Sequence, residues 1–230
     1  MKNDLSAVKA IFFDAGGTLI HLDSARIAGL VAEELGIELA LDGFSLAQGR
    51  AMTRVAEMVA AGLGTTENLK RQFYSMLLPE IGIPETSLAS AVESVLRLAR
   101  EEMLWRIAGE SAASVLERLK ERGYLLAVVS NSDGRIERAF KQAALDRYFD
   151  FFIDSFIVGV EKPDPAIFRF ALERARISPH EAAYIGDLYH NDMVCARKAG
   201  LLPILFDPFE LNPSADCLRI RNLDDLLLHF

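Results

Sequence analysis

A chain of 230 residues, 51% hydrophobic and 25% charged, has the composition of a folded globular protein and excludes wholesale disorder. A net charge of −8 without any basic run argues against a nucleic-acid partner, because neutralising phosphates takes clustered cations. No apolar run of 18 residues occurs, and the start, MKNDLSAVKA, has no secretory core, so the expectation is a cytoplasmic protein without a membrane segment.

The first element is VKAIFFD (8–14), an apolar run too short for a typical helix and ended by an acid, which predicts a buried strand. Residues 22 to about 105 then read as successive helices with no convincing strand. Ala28, Val31, Ala32 and Leu35 mark the first helical face, and Leu88, Val92, Val95, Leu96, Ala99 and Met103 the last. Next, Ala112, Val115, Leu116 and Leu119 keep the i, i+3, i+4, i+7 rule, with Gly123 placed to end the helix. YLLAVVS (124–130) and FFI (151–153) follow as strands. Asp164 and Pro165 then read as N-cap and first turn of a helix through Ile167, Phe168, Ala171 and Leu172. AAYIGD (182–187), a helix from Leu188 to Ala199 closed by Gly200, and the strand LLPILF (201–206) complete the order. Alternating strands and helices predict an α/β fold, a parallel sheet with helices on both faces. The helical stretch 22–105 is long enough for its own core and is expected to be a second domain, inserted into a core of 1–21 and 106–230. Cys195 and Cys217 make neither a metal-binding spacing nor a disulfide framework.

Polar residues gather where open α/β sheets bind ligands, at the C-terminal ends of strands. Asp14 ends the first strand, Ser130 and Asn131 the next, and Asp187 a later one. Lys162 precedes the helix after Pro165, and Asp192 lies shortly after Asp187. A hard divalent cation offsets carboxylate repulsion, and Mg²⁺ typically takes one or two carboxylates with substrate phosphate and water. Lys162 can then hold a phosphoryl oxygen and a nucleophilic carboxylate, and Ser130 with nearby N–H groups another oxygen.

DAGGTL, VVSN, Lys162 in GVEKPDPAIF, and GDLYHND resemble, in order, the four motifs of the haloacid dehalogenase superfamily. The helical insertion resembles the C1-type cap of its subfamily I. The resemblance implies a Rossmann-like core and a hydrolase whose first aspartate attacks the substrate and becomes a covalent intermediate. By that carry-over Asp14 is the nucleophile, Ser130 the phosphate-binding hydroxyl and Lys162 the charge stabiliser. Asp14, the Gly16 carbonyl and Asp187 are the implied ligands of Mg²⁺, with Asp192 supporting them. Gly17, Thr18, Ser130, Asn131 and Lys162 are the implied substrate contacts. The implied partner is a small phosphorylated metabolite, and the protein is expected as a monomer or homodimer.

One position departs from the pattern. Phosphatases similar to this chain carry an aspartate two residues after the nucleophile, as acid for the leaving group and later base for water; here it is Gly16. Dehalogenases of the superfamily lack that acid too, but they use no metal and do not usually keep an acidic pair such as Asp187 and Asp192. The phosphonatase branch has a small residue there and a cap lysine as Schiff base; Lys70 is the only lysine between His21 and Arg106. A Mg²⁺ phosphatase would rely on water, His21, His190 or Tyr189 for proton transfer, and the retained acids favour this reading. From another class, a scaffold that binds without turnover also fits Gly16. Gly16 and Gly17 can serve backbone angles closed to other residues. In the insertion, Arg26, Arg50 and Arg54 are candidate substrate contacts.

Overall fold

The computed structural model describes residues 5–63 and 66–230. Among them the strands are β1 (Ala10–Phe13), β2 (Ile20–Leu22), β3 (Trp105–Ala108), β4 (Leu125–Ser130), β5 (Phe151–Asp154), β6 (Ala182–Gly186), β7 (Leu202–Phe206) and β8 (Leu218–Ile220). The helices are α1 (Ser24–Leu35), α2 (Phe44–Ala60), α3 (Thr66–Glu80), α4 (Glu85–Glu101), α5 (Ala112–Glu121), α6 (Ile136–Gln142), α7 (Ser155–Val158), α8 (Ile167–Ala175) and α9 (Cys195–Lys198). The chain divides into two compact units, Met1–His21 with Ile107–Phe230, and Leu22–Arg106.

All four residues of β1 are buried. A strand apolar on both sides needs cover on both faces, which the interior of a parallel sheet provides. β1 takes that place, pairing in parallel with β4 on one side and β6 on the other. The six-stranded sheet runs β5-β4-β1-β6-β7-β8, and its direction of growth reverses at β1. That reversal leaves a crevice at the carboxyl ends of the central strands, where doubly wound sheets bind ligands. On one face Phe12, Val129 and Tyr184 pack with Ile167 and Phe168 of α8. Strand alternation turns Phe13 to the other face, edge-on to Phe149 with ring centroids 6.2 Å apart.

The second unit has a core of its own, in which Ile27 and Val31 of α1, Leu77 and Leu78 of α3 and Val92 and Val95 of α4 join one cluster. Its first helix is rotated from the expected face. Ile27, Leu30 and Val31 are buried while Ala32 is exposed, because the larger aliphatic side chains gain more by leaving water. Met103, expected on the last helix, lies beyond the end of α4 at Glu101.

Three further departures concern short or irregular elements. β8 has one buried residue in three, and β3 is half-buried to exposed, too little pattern for periodicity to register. α8 starts at Ile167; Asp164 instead accepts a hydrogen bond from Ala166 N–H (2.9 Å) in the turn before it. The stretch expected as one helix from Leu188 opens as a wide π-type turn, Tyr189–Val194, before α9. Wide turns of this kind often mark functional sites.

Leu77 is fully buried in the helical cluster. Leu77→Ala should destabilise the protein by about 2–5 kcal/mol, the usual cost of a buried leucine truncation, read from urea denaturation.

Candidate active site

Asp14 is the first residue past β1, and its N–H still donates to Ile185 O of β6 (2.8 Å), so its side chain stands at the end of the paired strands. The chain then turns tightly around the Ala15 carbonyl, which accepts from Leu19 N–H (2.9 Å) and Ile20 N–H (3.0 Å). Gly17 has φ 87°, a region unfavourable to other residues. Gly16 is not among the glycines with positive φ, so φ alone does not call for glycine at the position of the missing acid.

Lys162, 4% exposed, comes to Asp14 from the loop before α8. Its backbone is held by a reciprocal pair: Lys162 N–H donates to Asn131 Oδ1 and Asn131 Nδ2 donates to Lys162 O, each at 2.8 Å. Its ammonium donates to Asp14 Oδ1 (2.6 Å), Asp192 Oδ1 (2.6 Å) and the Tyr184 hydroxyl (2.7 Å). Burial alone would lower the lysine's pKa, but Asp14 and Asp192 outweigh it and hold the ammonium above its ordinary value. Asp192, fully buried, also accepts from Leu188 N–H (2.9 Å) at its second oxygen. Its close approach needs Gly186: a Cβ there would lie 2.5 Å from Asp192 Oδ2.

Asp187 follows β6 and accepts from the Thr18 hydroxyl (3.2 Å). Carboxylate oxygens of Asp14, Asp187 and Asp192 lie within 4.8 Å of one another. Desolvation, then the charge of Asp14 and Asp192, raises Asp187 well above the usual carboxylate range. Desolvation pushes Asp192 up to about 6 even against Lys162. Three acids around one ammonium are thus short of positive charge. Asn191, beside Asp192 in sequence, carries a buried Oδ1 with no partner.

The loop after β4 is stitched at several points. Ser130 is buried, and its hydroxyl reaches Asn131 O at 3.4 Å. Ser132 N–H donates to Ser155 Oγ (3.0 Å). Asp154 accepts from Gly134 N–H (3.1 Å), Ile136 N–H (3.3 Å) and Phe156 N–H (3.0 Å), tying the starts of α6 and α7 to β5. Asp154, Tyr184 and Gly186 were not among the candidate residues. Asp154 had a readable signal, being an acid at the end of the FFI run as Asp14 is at the end of IFF.

Other candidates have neighbours of their own. The Tyr189 hydroxyl donates to Asp216 (2.6 Å), and its ring meets His190 edge-on at 5.4 Å. His21 packs on Gly109, where an added Cβ would lie 3.1 Å from its Nε2, and burial lowers its pKa. Among the described residues no hydrogen bond links these three to Asp14, Lys162, Asp187 or Asp192. In the helical unit Arg26 pairs with Glu102 (2.8 Å) and Arg50 with Glu80 (3.3 Å).

A buried lysine thus sits on an aspartate at the sheet's switch point, with two more acids beside it. A family model for haloacid dehalogenase-like hydrolases matches residues 8–200, and the chain belongs to that family. It is 30% identical over 204 residues to haloacid dehalogenase-like hydrolase domain-containing protein 3 of Mus musculus, covering 84% of this chain and 80% of that protein. With the Xenopus laevis protein of that name identity is 40% over 97 residues, 42% of this chain, and the match spans only 40% of that relative. A glyceraldehyde 3-phosphate phosphatase of Pyrococcus abyssi is 27% identical, over 86% of this chain and 81% of that protein. An (S)-2-haloacid dehalogenase 4A of Burkholderia cepacia is 26% identical, over 79% and 75%. The fold is shared with the magnesium-bound HAD hydrolase YfnB of Bacillus subtilis, with TM-score 0.70 and 21% identity over 96% of this chain and 97% of that one. No helix among the described residues is long and apolar enough to cross a membrane.

Gly186→Ala should force Asp192 off its contacts with Leu188 and Lys162. Overpacking of this kind costs about 1–3 kcal/mol, so denaturation should show a loss in that range. A variant of unchanged stability would mean that Asp192 has another place to sit.

Proposed function

We propose that this hydrolase is a Mg²⁺-dependent phosphatase of small phosphorylated metabolites, acting through a phosphoryl-aspartate at Asp14. The convergence of Asp14, Asp187 and Asp192 within 4.8 Å beside the Lys162 ammonium carries this reading. The donor set fits a hard cation, being all oxygen and short of positive charge. Asp14, Asp187 and the Gly16 carbonyl would hold Mg²⁺. Asp192, with both oxygens already engaged by Lys162 and Leu188, would steady them from behind. Bound there, the ion would neutralise charge on the phosphoryl group.

Lys162 donates to Asp14 Oδ1, which leaves Oδ2 as the attacking oxygen. Attack at phosphorus forms an Asp14 Oδ2–P bond as the bond to the leaving oxygen breaks. Water then attacks the same phosphorus, releasing phosphate and restoring the carboxylate. The loop carrying Ser130 and Asn131, fixed by Asp154 and Ser155, would orient phosphoryl oxygens without rearranging. Gly16 gives no proton to the leaving group, so good leaving groups are favoured.

Gly16 also favours a second reading, hydrolysis of a 2-haloacid by attack of Asp14 on carbon, a chemistry named for one of the relatives. A panel of phosphate esters and 2-haloacids, with and without Mg²⁺, separates the two. Phosphate release that needs Mg²⁺ and stops with chelator is expected; chelator-indifferent halide release would establish the second. Inertness toward both classes would point to a binding protein.

Asp14→Asn should abolish phosphate release while the protein stays folded, by circular dichroism and denaturation. Turnover near the wild-type rate would sink the covalent mechanism.

In the wild type, acyl and aryl phosphates should be fast and alkyl phosphates slow. The backbone at Gly16 does not exclude a side chain by φ. Gly16→Asp should therefore raise alkyl phosphate hydrolysis more than aryl, by up to about 10²–10⁴, the range of a general acid. A flat wild-type rate across leaving groups, with chemistry limiting, would show that another residue supplies the proton.

A further inference from the structure

A lysine ammonium has three N–H donors. In Lys162 each has its own close acceptor: Asp14 Oδ1 (2.6 Å), Asp192 Oδ1 (2.6 Å) and the Tyr184 hydroxyl (2.7 Å). No N–H is left over for a substrate oxygen. We propose that Tyr184 is a positioning residue, which takes the third donor of Lys162 and confines the ammonium to Asp14 and Asp192. Lys162 is thereby held on the nucleophile.

Tyr184 suits this task because its oxygen both accepts and donates. It accepts from Lys162 and donates to Val129 O (2.8 Å), the nearer of its two acceptors, Asp192 Oδ1 lying at 3.4 Å. Its ring is fully buried and packed edge-on against Phe168, with centroids 4.7 Å apart. In β6 it sits opposite Phe12 of β1, so the sheet itself sets the height of the hydroxyl. Removing the oxygen leaves a buried cationic N–H without an acceptor, a costly state that the side chain escapes by turning to another oxygen.

The inference rests on the catalytic reading of Asp14 and Lys162, and Tyr184→Phe in the full chain tests it by two routes. The ring packing is retained in this variant. The first route is a crystal structure of Tyr184→Phe without substrate. Lys162 Nζ is expected to leave its place between the two carboxylates; an Nζ still bound to both overturns the proposal. This readout does not depend on phosphatase activity, so it decides the role of Tyr184 even if the wild type releases no phosphate, a result that would defeat only the phosphatase reading. The second route is kinetics on p-nitrophenyl phosphate with Mg²⁺. kcat should fall about 10- to 100-fold, the scale of a hydrogen bond to a charged group. KM should stay level or drop as a freed N–H reaches the substrate. An unchanged kcat, or a rise in KM alone, overturns the proposal. If Tyr184→Phe does not fold, 3-fluorotyrosine placed at position 184 keeps the hydroxyl but weakens it as an acceptor; a smaller fall in kcat is expected, and none overturns the proposal.

Discussion

The rest of the core depends on the ammonium of Lys162, enclosed with carboxylates at the ends of parallel strands. Taking a charge out of water costs several kcal/mol unless it is paired and its hydrogen bonds are met. Lys162 meets that condition in full, since Asp14, Asp192 and Tyr184 take its donors. Each partner constrains a further residue. Asp192 needs a bare Gly186 beside it, and Tyr184 needs the Val129 carbonyl. Asn131 fixes the lysine's backbone from the neighbouring loop.

The sheet order makes this convergence possible. Asp14, Asn131 and Asp187 follow β1, β4 and β6, which are adjacent in the sheet although far apart in the chain. Parallel pairing brings all three carboxyl ends to one edge, and the reversal at β1 opens space there. Asp154 at the end of β5 extends the same logic outward, securing the loop that carries Ser130. A site held by strand ends and satisfied polar groups changes little when a substrate arrives, and such preorganisation is what stabilises a developing charge.

Gly16 sets this chain apart within that frame. The turn around Ala15 puts Gly17, and not Gly16, at a positive φ. A positive φ is therefore not the reason for the glycine at 16. Relatives named for a phosphatase and for a dehalogenase both match most of the chain, and the oxygen-rich trio of Asp14, Asp187 and Asp192 is what supports the phosphatase proposal.

By itself the sequence determined the alternation of elements and the long helical insertion, and it singled out Asp14, Lys162, Asp187 and Asp192, which the fold brings together. Those features are local, since apolar runs ending in polar residues show directly in the order of side chains. β8 and β3 were too short and too exposed to leave a period, and the wide turn at Tyr189–Val194 read as an ordinary helix because its apolar residues keep a helical spacing. Only the tertiary structure decided the roles of Tyr184, Gly186 and Asp154. Tyr184 and Gly186 look like strand filler until β6 is laid beside β1 and the Lys162 loop folds over them. Their meaning lies in contacts between segments distant in the chain, such as Lys162 with Asp14, and no local pattern encodes such a contact.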